Sequence, residues 1–139
     1  LLAAPELVGE LLKIKQPYNV GRLSLIAGEV ALAAADRLEP RVRLLVARRD
    51  GWARMLAERG FGVLPSEANF LLTCCPGGQA KAIHAGLAER GILVRDVSGG
   101  PGLAGHLRFS IGSGAALRAT ARALDEILPG LAGRGGDER

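Results

Sequence analysis

Two arginines stand inside otherwise apolar runs in the second half of the chain. Arg108 lies within Leu107-Arg108-Phe109-Ser110-Ile111-Gly112, and Arg95 closes Gly91-Ile92-Leu93-Val94-Arg95-Asp96. A guanidinium keeps its charge in any protein environment, so an arginine at an inward-facing position needs an anion. A third polar residue, Asn69, interrupts Ser66-Glu67-Ala68-Asn69-Phe70-Leu71-Leu72, and an amide placed there has to find hydrogen bonds. The residue types leave two readings open at each position. Arg108 either occupies a solvated strand face or grips an anion through its two-donor fork. Arg95 either pairs locally with Asp96, worth less than about 1 kcal/mol, or makes a second anion contact. Asn69 either caps the turn at Ser66 and Glu67 or lines the same site.

Other chemistries find less support. Cys74 and Cys75 are adjacent; successive strand residues point to opposite faces, so a disulfide between them would be strained and two reduced thiols are expected. His84 and His106 have no partner at ligand spacing, so no metal site is expected. Gly100-Pro101-Gly102-Leu103-Ala104-Gly105 matches a dinucleotide-binding glycine string. That chemistry needs a helix N-terminus directly after the glycines. A strand pattern comes next here and Pro101 removes a donor, so the string reads as a hairpin loop.

The elements that must position these residues are set by periodicity. Residues 5–14 read as a helix with Pro5 in its first turn, broken by Gln16-Pro17-Tyr18-Asn19. A second helix is expected over 22–38. Pro40 opens a third, with Val42, Leu45, Val46, Trp52 and Leu56 on one face and Arg49 at the edge of that stripe, ending at Gly60. Strands are expected over 61–64, 69–74, 92–95 and 106–111. Between the middle pair, residues 79–90 form an amphipathic helix buried through Ala80, Ile83 and Leu87 and capped by Gly91. A last helix over 115–128 offers an Arg122 to Glu126 pair, and a disordered tail is expected over 130–139. The pattern is a helical arm and then ββαββα: an α+β fold whose small, mostly antiparallel sheet carries helices on one face.

Composition sets the outer limits. A chain of 139 residues suits one domain with an arm. Its aromatic content of 4% leaves the core to Leu, Val, Ile and Ala. The net charge of +4 is spread without a dense basic run, so nucleic acid is not an expected partner. No uncharged apolar run approaches the roughly 18 residues of a membrane helix, and Leu1-Leu2-Ala3-Ala4-Pro5-Glu6 lacks the basic leader of a signal peptide. The chain begins without methionine, which is expected of a fragment, a processed product or a partial sequence.

The order and spacing of the three segments, together with Lys15-Gln16-Pro17-Tyr18-Asn19-Val20, resemble the C-terminal part of the histidinol-phosphate aminotransferases, pyridoxal-phosphate enzymes of the aspartate-aminotransferase superfamily. The resemblance runs from about Leu1 to about Leu128. It implies the end of the large domain and a linker over 1–21, then a C-terminal small domain with its linking helices over 22–129. It also implies substrate binding by Arg108, Arg95, Asn69, Tyr18 and Asn19, with Arg108 and Arg95 meeting phosphate or carboxylate. The family's cofactor lysine sits in a Ser-Lys pair ahead of a Gly-Leu-Arg-x-Gly-Tyr stretch, and Leu1 to Glu6 resemble the residues directly after that stretch. Lys13, Lys15 and Lys81 match none of it, so no catalytic, cofactor-binding or metal residue is expected within the chain. Pyridoxal 5'-phosphate would be bound upstream. The resemblance further implies glutamate or 2-oxoglutarate and histidinol phosphate as substrates, a homodimer, and a cytoplasmic setting. Threonine-phosphate decarboxylases and aromatic aminotransferases share much of the pattern. A free-standing, non-catalytic α+β module that binds small anions or a partner is the alternative from a different class.

Overall fold

The computed structural model describes residues 3–15 and 20–132. The chain divides into two compact units, Leu1–Glu39 and Pro40–Arg139. The first holds α1 (Pro5–Ile14) and α2 (Arg22–Ala33). Pro5 opens α1, Glu6 sits in its first turn, and Lys13 near its end pairs with Glu10; each placement complements the helix dipole. Neither helix has a buried residue, and Leu7, Ile14, Leu23, Val30 and Leu32 are all exposed. Tyr18 and Asn19 lie outside the described residues.

The helical arm departs from expectation at one point. The helix expected over 22–38 stops at Ala33, where Ala34 adopts φ −104°, ψ 24°, and α3 (Ala35–Ala57) begins at once. Pro40 does not open α3 but sits in its second turn. A proline there lacks the N–H that would donate to Asp36 O, one turn past the positions whose N–H groups have no helical partner. Of the stripe expected on α3, only Trp52 and Leu56 are buried; Val42 and Val46 are exposed.

The second unit carries the core. Its sheet has the order β1-β2-β4-β3, with β1 (Gly62–Val63), β2 (Phe70–Cys74), β3 (Arg95–Asp96) and β4 (His106–Ser110), every neighbour antiparallel. One face meets α3, α4 (Ala80–Glu89) and α5 (Gly114–Ala132). Leu71, Thr73, Leu107 and Phe109 point into that layer, against Trp52, Leu56, Ile83, Leu87 and Leu124. Phe109 takes Trp52 and Phe61 edge-on, each at 6.0 Å between centroids, the arrangement the ring quadrupoles favour. Each such fully buried side chain contributes about 1.5–3 kcal/mol of transfer free energy. The α+β layout with helices on one face is therefore as expected.

Local chemistry explains the joints. In α4, Ala80, Ile83 and Leu87 are the buried residues, and Gly91 at φ +72° ends the helix while Gly91 N and Ile92 N donate to Ala88 O and Leu87 O. Ser113 caps α5, its Oγ accepting from Ala116 N at 3.2 Å. α5 continues through Pro129 and Gly130 to Ala132, beyond the end expected at Leu128. Two arginines tie helix ends to α5. Arg59 donates to both carboxylate oxygens of Asp125 at 2.8 and 2.9 Å and to Met55 O. Arg90 donates to Glu126 and to Gly86 O. Glu126 is thus engaged by Arg90 across the helix pair, and the local pair with Arg122 does not form. Two strands are also shorter than their sequence runs suggest. β1 is only Gly62–Val63, and β3 is Arg95–Asp96 rather than 92–95, because pairing with β4 stops at Arg95. Among the described residues no helix is long and apolar enough to cross a membrane.

Candidate functional site

Alternation along β2 and β4 sorts their side chains into two sets. The odd-numbered residues Leu71, Thr73, Leu107 and Phe109 are buried under the helices; Phe70, Leu72, Cys74, His106, Arg108 and Ser110 face the uncovered side. Register then sets neighbours. Leu72 and Arg95 both lie opposite Arg108, one on each side of it. The open face therefore brings together two of the residues singled out in the sequence, Arg108 and Arg95, as a directly opposed cross-strand pair.

Arg108 lies against an aromatic ring. Its guanidinium carbon lies 5.0 Å from the centroid of the Phe70 ring, a cation–π arrangement. Its Nε is fully buried and has no hydrogen-bond partner among the described residues. Arg95 is exposed, and among the described residues no carboxylate forms an ion pair with it. The local pair with Asp96 does not form: Asp96 belongs to the opposite face of β3, and its Oδ1 accepts from Ser98 N at 2.8 Å. The Ser98 side chain and backbone N–H hold the Asp96 carboxyl below its ordinary range, with His84 and Lys81 adding to the effect. Like charges set directly opposite each other on a sheet repel. Two guanidiniums without a carboxylate among the described residues form a place suited to an anion.

Asn69 does not cap the turn within the described residues. The turn before β2 is capped by Ser66, whose Oγ donates to Phe70 O at 2.7 Å and accepts from Ala68 N at 3.1 Å. Asn69 contributes its carbonyl, which accepts from Ile111 N at 2.8 Å, and its side chain is exposed. Tyr18 and Asn19, outside the described residues, have no place beside the arginines to report.

Three further residues of the open face were not singled out for this site. Phe70 supplies the platform under Arg108, and Cys74 and His106 are opposite each other at the far end. His106 Nδ1 lies 2.9 Å from Ala104 O; a carbonyl only accepts, so Nδ1 is the donor of that bond. The parity of the two strands carries the signal for all three, once β2 and β4 are known to pair. Cys75, by contrast, points into the core. Burial pushes its thiol up to about 12, with Cys74 and Asp96 nearby adding to the rise, so it is no nucleophile.

Pyridoxal phosphate needs a lysine amine and a phosphate cradle. Lys13 is on α1 and engaged by Glu10, Lys81 is exposed on α4, and no strand residue of the open face is a lysine. Among the described residues, no three His, Cys, Asp or Glu side chains come together as a metal site would need.

The sequence and the fold have counterparts among known proteins. The family model for aminotransferase class I and II matches residues 1–127. Histidinol-phosphate aminotransferase 1 of Carboxydothermus hydrogenoformans is 40% identical over 128 residues, covering 92% of this chain and 36% of the relative. The histidinol-phosphate aminotransferase of Citrifermentans bemidjiense is 37% identical over 129 residues, covering 93% of this chain and 37% of that protein. Among solved structures, the histidinol-phosphate aminotransferase of Sinorhizobium meliloti in complex with pyridoxal-5'-phosphate superposes with a TM-score of 0.77 at 28% identity, over 94% of this chain and 36% of that one. A putative aminotransferase from Burkholderia pseudomallei gives 0.73 at 34% identity, over 88% and 37%. The chain spans a little over a third of the length of these proteins.

Proposed function

The chain belongs to the aminotransferase class I and II family, and from that footing we propose that it is the substrate-gripping C-terminal small domain, with its linking helices, of a pyridoxal-phosphate-dependent aminotransferase. The reaction we assign is amino-group exchange between glutamate and the keto form of histidinol phosphate, as the names of the relatives suggest. The rest of the polypeptide carries the cofactor and its lysine, and the chain by itself is inactive. The active enzyme is a cytoplasmic homodimer in this reading. Tyr18 and Asn19 approach the partner's site, and Asn69 lines the substrate side.

The observation that supports this is the opposed pair Arg95 and Arg108 on the uncovered sheet face. Both substrates end in an anion, a phosphate in one and a distal carboxylate in the other. Arg108 offers a planar two-donor fork 5.0 Å from the centroid of the Phe70 ring, a shape that can grip an anion at two points. Arg95, exposed at the sheet edge, adds a second positive group for whichever anion is longer or more highly charged. The residues of this chain bind and orient; holding the reacting carbon in one position is itself a large part of catalytic advantage. The exposed apolar side chains of α1 and α2 are, in this reading, covered by the large domain.

The test is Arg108→Lys in a full-length enzyme carrying this segment. The charge stays and the fork is lost. The expected loss is about 2–4 kcal/mol in kcat/KM for both glutamate and histidinol phosphate, with thermal stability little changed. Values within about threefold of the parent for both substrates would show the face to be merely solvated and would remove the central support for the assignment.

A further inference from the structure

The chain has three phenylalanines. Phe61 and Phe109 are buried and meet edge-on in the helix-covered layer. Phe70 belongs neither to the buried core nor to the partly buried shell packed against it. Its ring meets no other aromatic ring among the described residues. It stands half-buried on the uncovered face of β2, so packing of the helix-covered layer does not account for an aromatic at this position. The contact it does make is with Arg108, whose guanidinium carbon lies over the ring at 5.0 Å from its centroid.

Register explains how the two side chains meet. Backbone hydrogen bonds join Asn69 to Ile111 and Cys75 to Gly105, so the even-numbered pairs between them are the non-bonded ones, where side chains come closest. Ser110 lies directly opposite Phe70, and Leu72 directly opposite Arg108. Phe70 and Arg108 are therefore diagonal neighbours, a separation that a ring and a long side chain can bridge. Ser110 is too small to cover the ring. On its other side Arg108 is matched with Arg95. Repulsion between the two guanidiniums disfavours a pose of Arg108 toward β3, while the negative face of the Phe70 ring favours a pose toward β2. An arginine side chain carries much rotamer freedom, and binding an anion costs whatever part of it must be lost.

We propose that Phe70 is a positioning residue for the anion site: its ring draws the Arg108 guanidinium toward β2 before a substrate arrives, and so lowers the ordering cost of gripping one. Phe70 acts through Arg108 and not on the substrate. The inference rests on the reading of Arg108 as the substrate anchor, and it adds to that reading a reason for an aromatic side chain on the open face.

The test is a double-mutant cycle in a full-length enzyme carrying this segment. Phe70→Leu keeps an apolar side chain and removes the ring. It is expected to raise KM for glutamate and for histidinol phosphate about three- to tenfold, with kcat within about twofold of the parent. Phe70→Tyr keeps the ring and should stay within about twofold in both constants. In an Arg108→Gln background, which has no cation to position, adding Phe70→Leu should change KM by less than about twofold. A merely structural role would not give that pattern, because it would act whichever residue stands at 108. Melting curves accompany the kinetics, and Phe70→Met repeats the comparison if Phe70→Leu folds poorly. An unchanged KM in Phe70→Leu, alongside a damaging Arg108→Gln, overturns the proposal and leaves the anchor reading intact. An equal effect of Phe70→Leu in both backgrounds also overturns it, since the ring would then act on the substrate or on the scaffold. Arg108→Gln without effect on either substrate overturns both the proposal and the reading beneath it.

Discussion

Arg95 and Arg108 face each other across neighbouring antiparallel strands, and neither is neutralised by a carboxylate among the described residues. The pair works against the fold when no anion is present. Arg95→Gln should therefore raise stability at low ionic strength, by a few tenths up to about 1 kcal/mol, read from the urea midpoint. Inorganic phosphate should raise the midpoint of the parent chain more than that of the variant, because ligand binding to the native state adds stability. A variant that is less stable than the parent and equally responsive to phosphate would mean that the pair is not an anion site.

Acid sensitivity should trace to Asp125. The fork of Arg59 hydrogen-bonds both of its oxygens and holds the carboxyl below the ordinary aspartate range. A carboxyl whose folded pKa is depressed adds stability above its unfolded pKa and loses it as the pH falls through the folded one. Asp125→Asn should thus lower stability near neutrality and lose less of it on acidification from about pH 6 to about pH 3. Parallel pH profiles for parent and variant would exclude a contribution from this pair.

Alkylation should separate the adjacent thiols. Cys75 is buried and its thiol is pushed up to about 12, so very little thiolate is present at pH 8. Iodoacetamide should add one label to the native chain, at Cys74, and a second only after unfolding. Rapid double labelling of native chain by mass spectrometry would contradict the burial of Cys75.

Gly105→Ala should destabilise the hairpin loop before β4. Gly105 adopts φ +73°, and a Cβ there would stand 3.1 Å from Gly78 Cα. Gly105 O also accepts from Cys75 N at 2.9 Å, which ties the loop to the end of β2. The strained backbone alone carries about 1–3 kcal/mol, and the backbone contact adds to it. A melting temperature within one degree or so of the parent would show that the loop relaxes freely.

Much of this architecture was legible in the sequence where periodicity decides it. The spacing of Ala80, Ile83 and Leu87 gave the buried face of α4, and the alternation around Arg108 gave its separation from Leu107 and Phe109. Pairing decided the rest, and pairing is a long-range matter. The run 92–94 has strand-forming residues but no partner, so propensity overstated it. Glu126 has Arg122 at helical spacing yet is taken by Arg90, which arrives from another helix. Phe70 reads as a core residue until the register of β2 against β4 puts it beside Arg108. The break at Ala34 falls within an alanine-rich stretch without glycine or proline, so no local signal marked it.

β4 gives its two duties to different residues. Leu107 and Phe109 maintain the packed layer, while His106, Arg108 and Ser110 carry none of that burden. Mutational drift on the uncovered side is consequently tolerated by the scaffold as long as the odd positions hold. New specificities can then be explored one even-numbered residue at a time without passing through unfolded intermediates. A strand of five residues thereby keeps the inheritance of shape apart from the inheritance of preference.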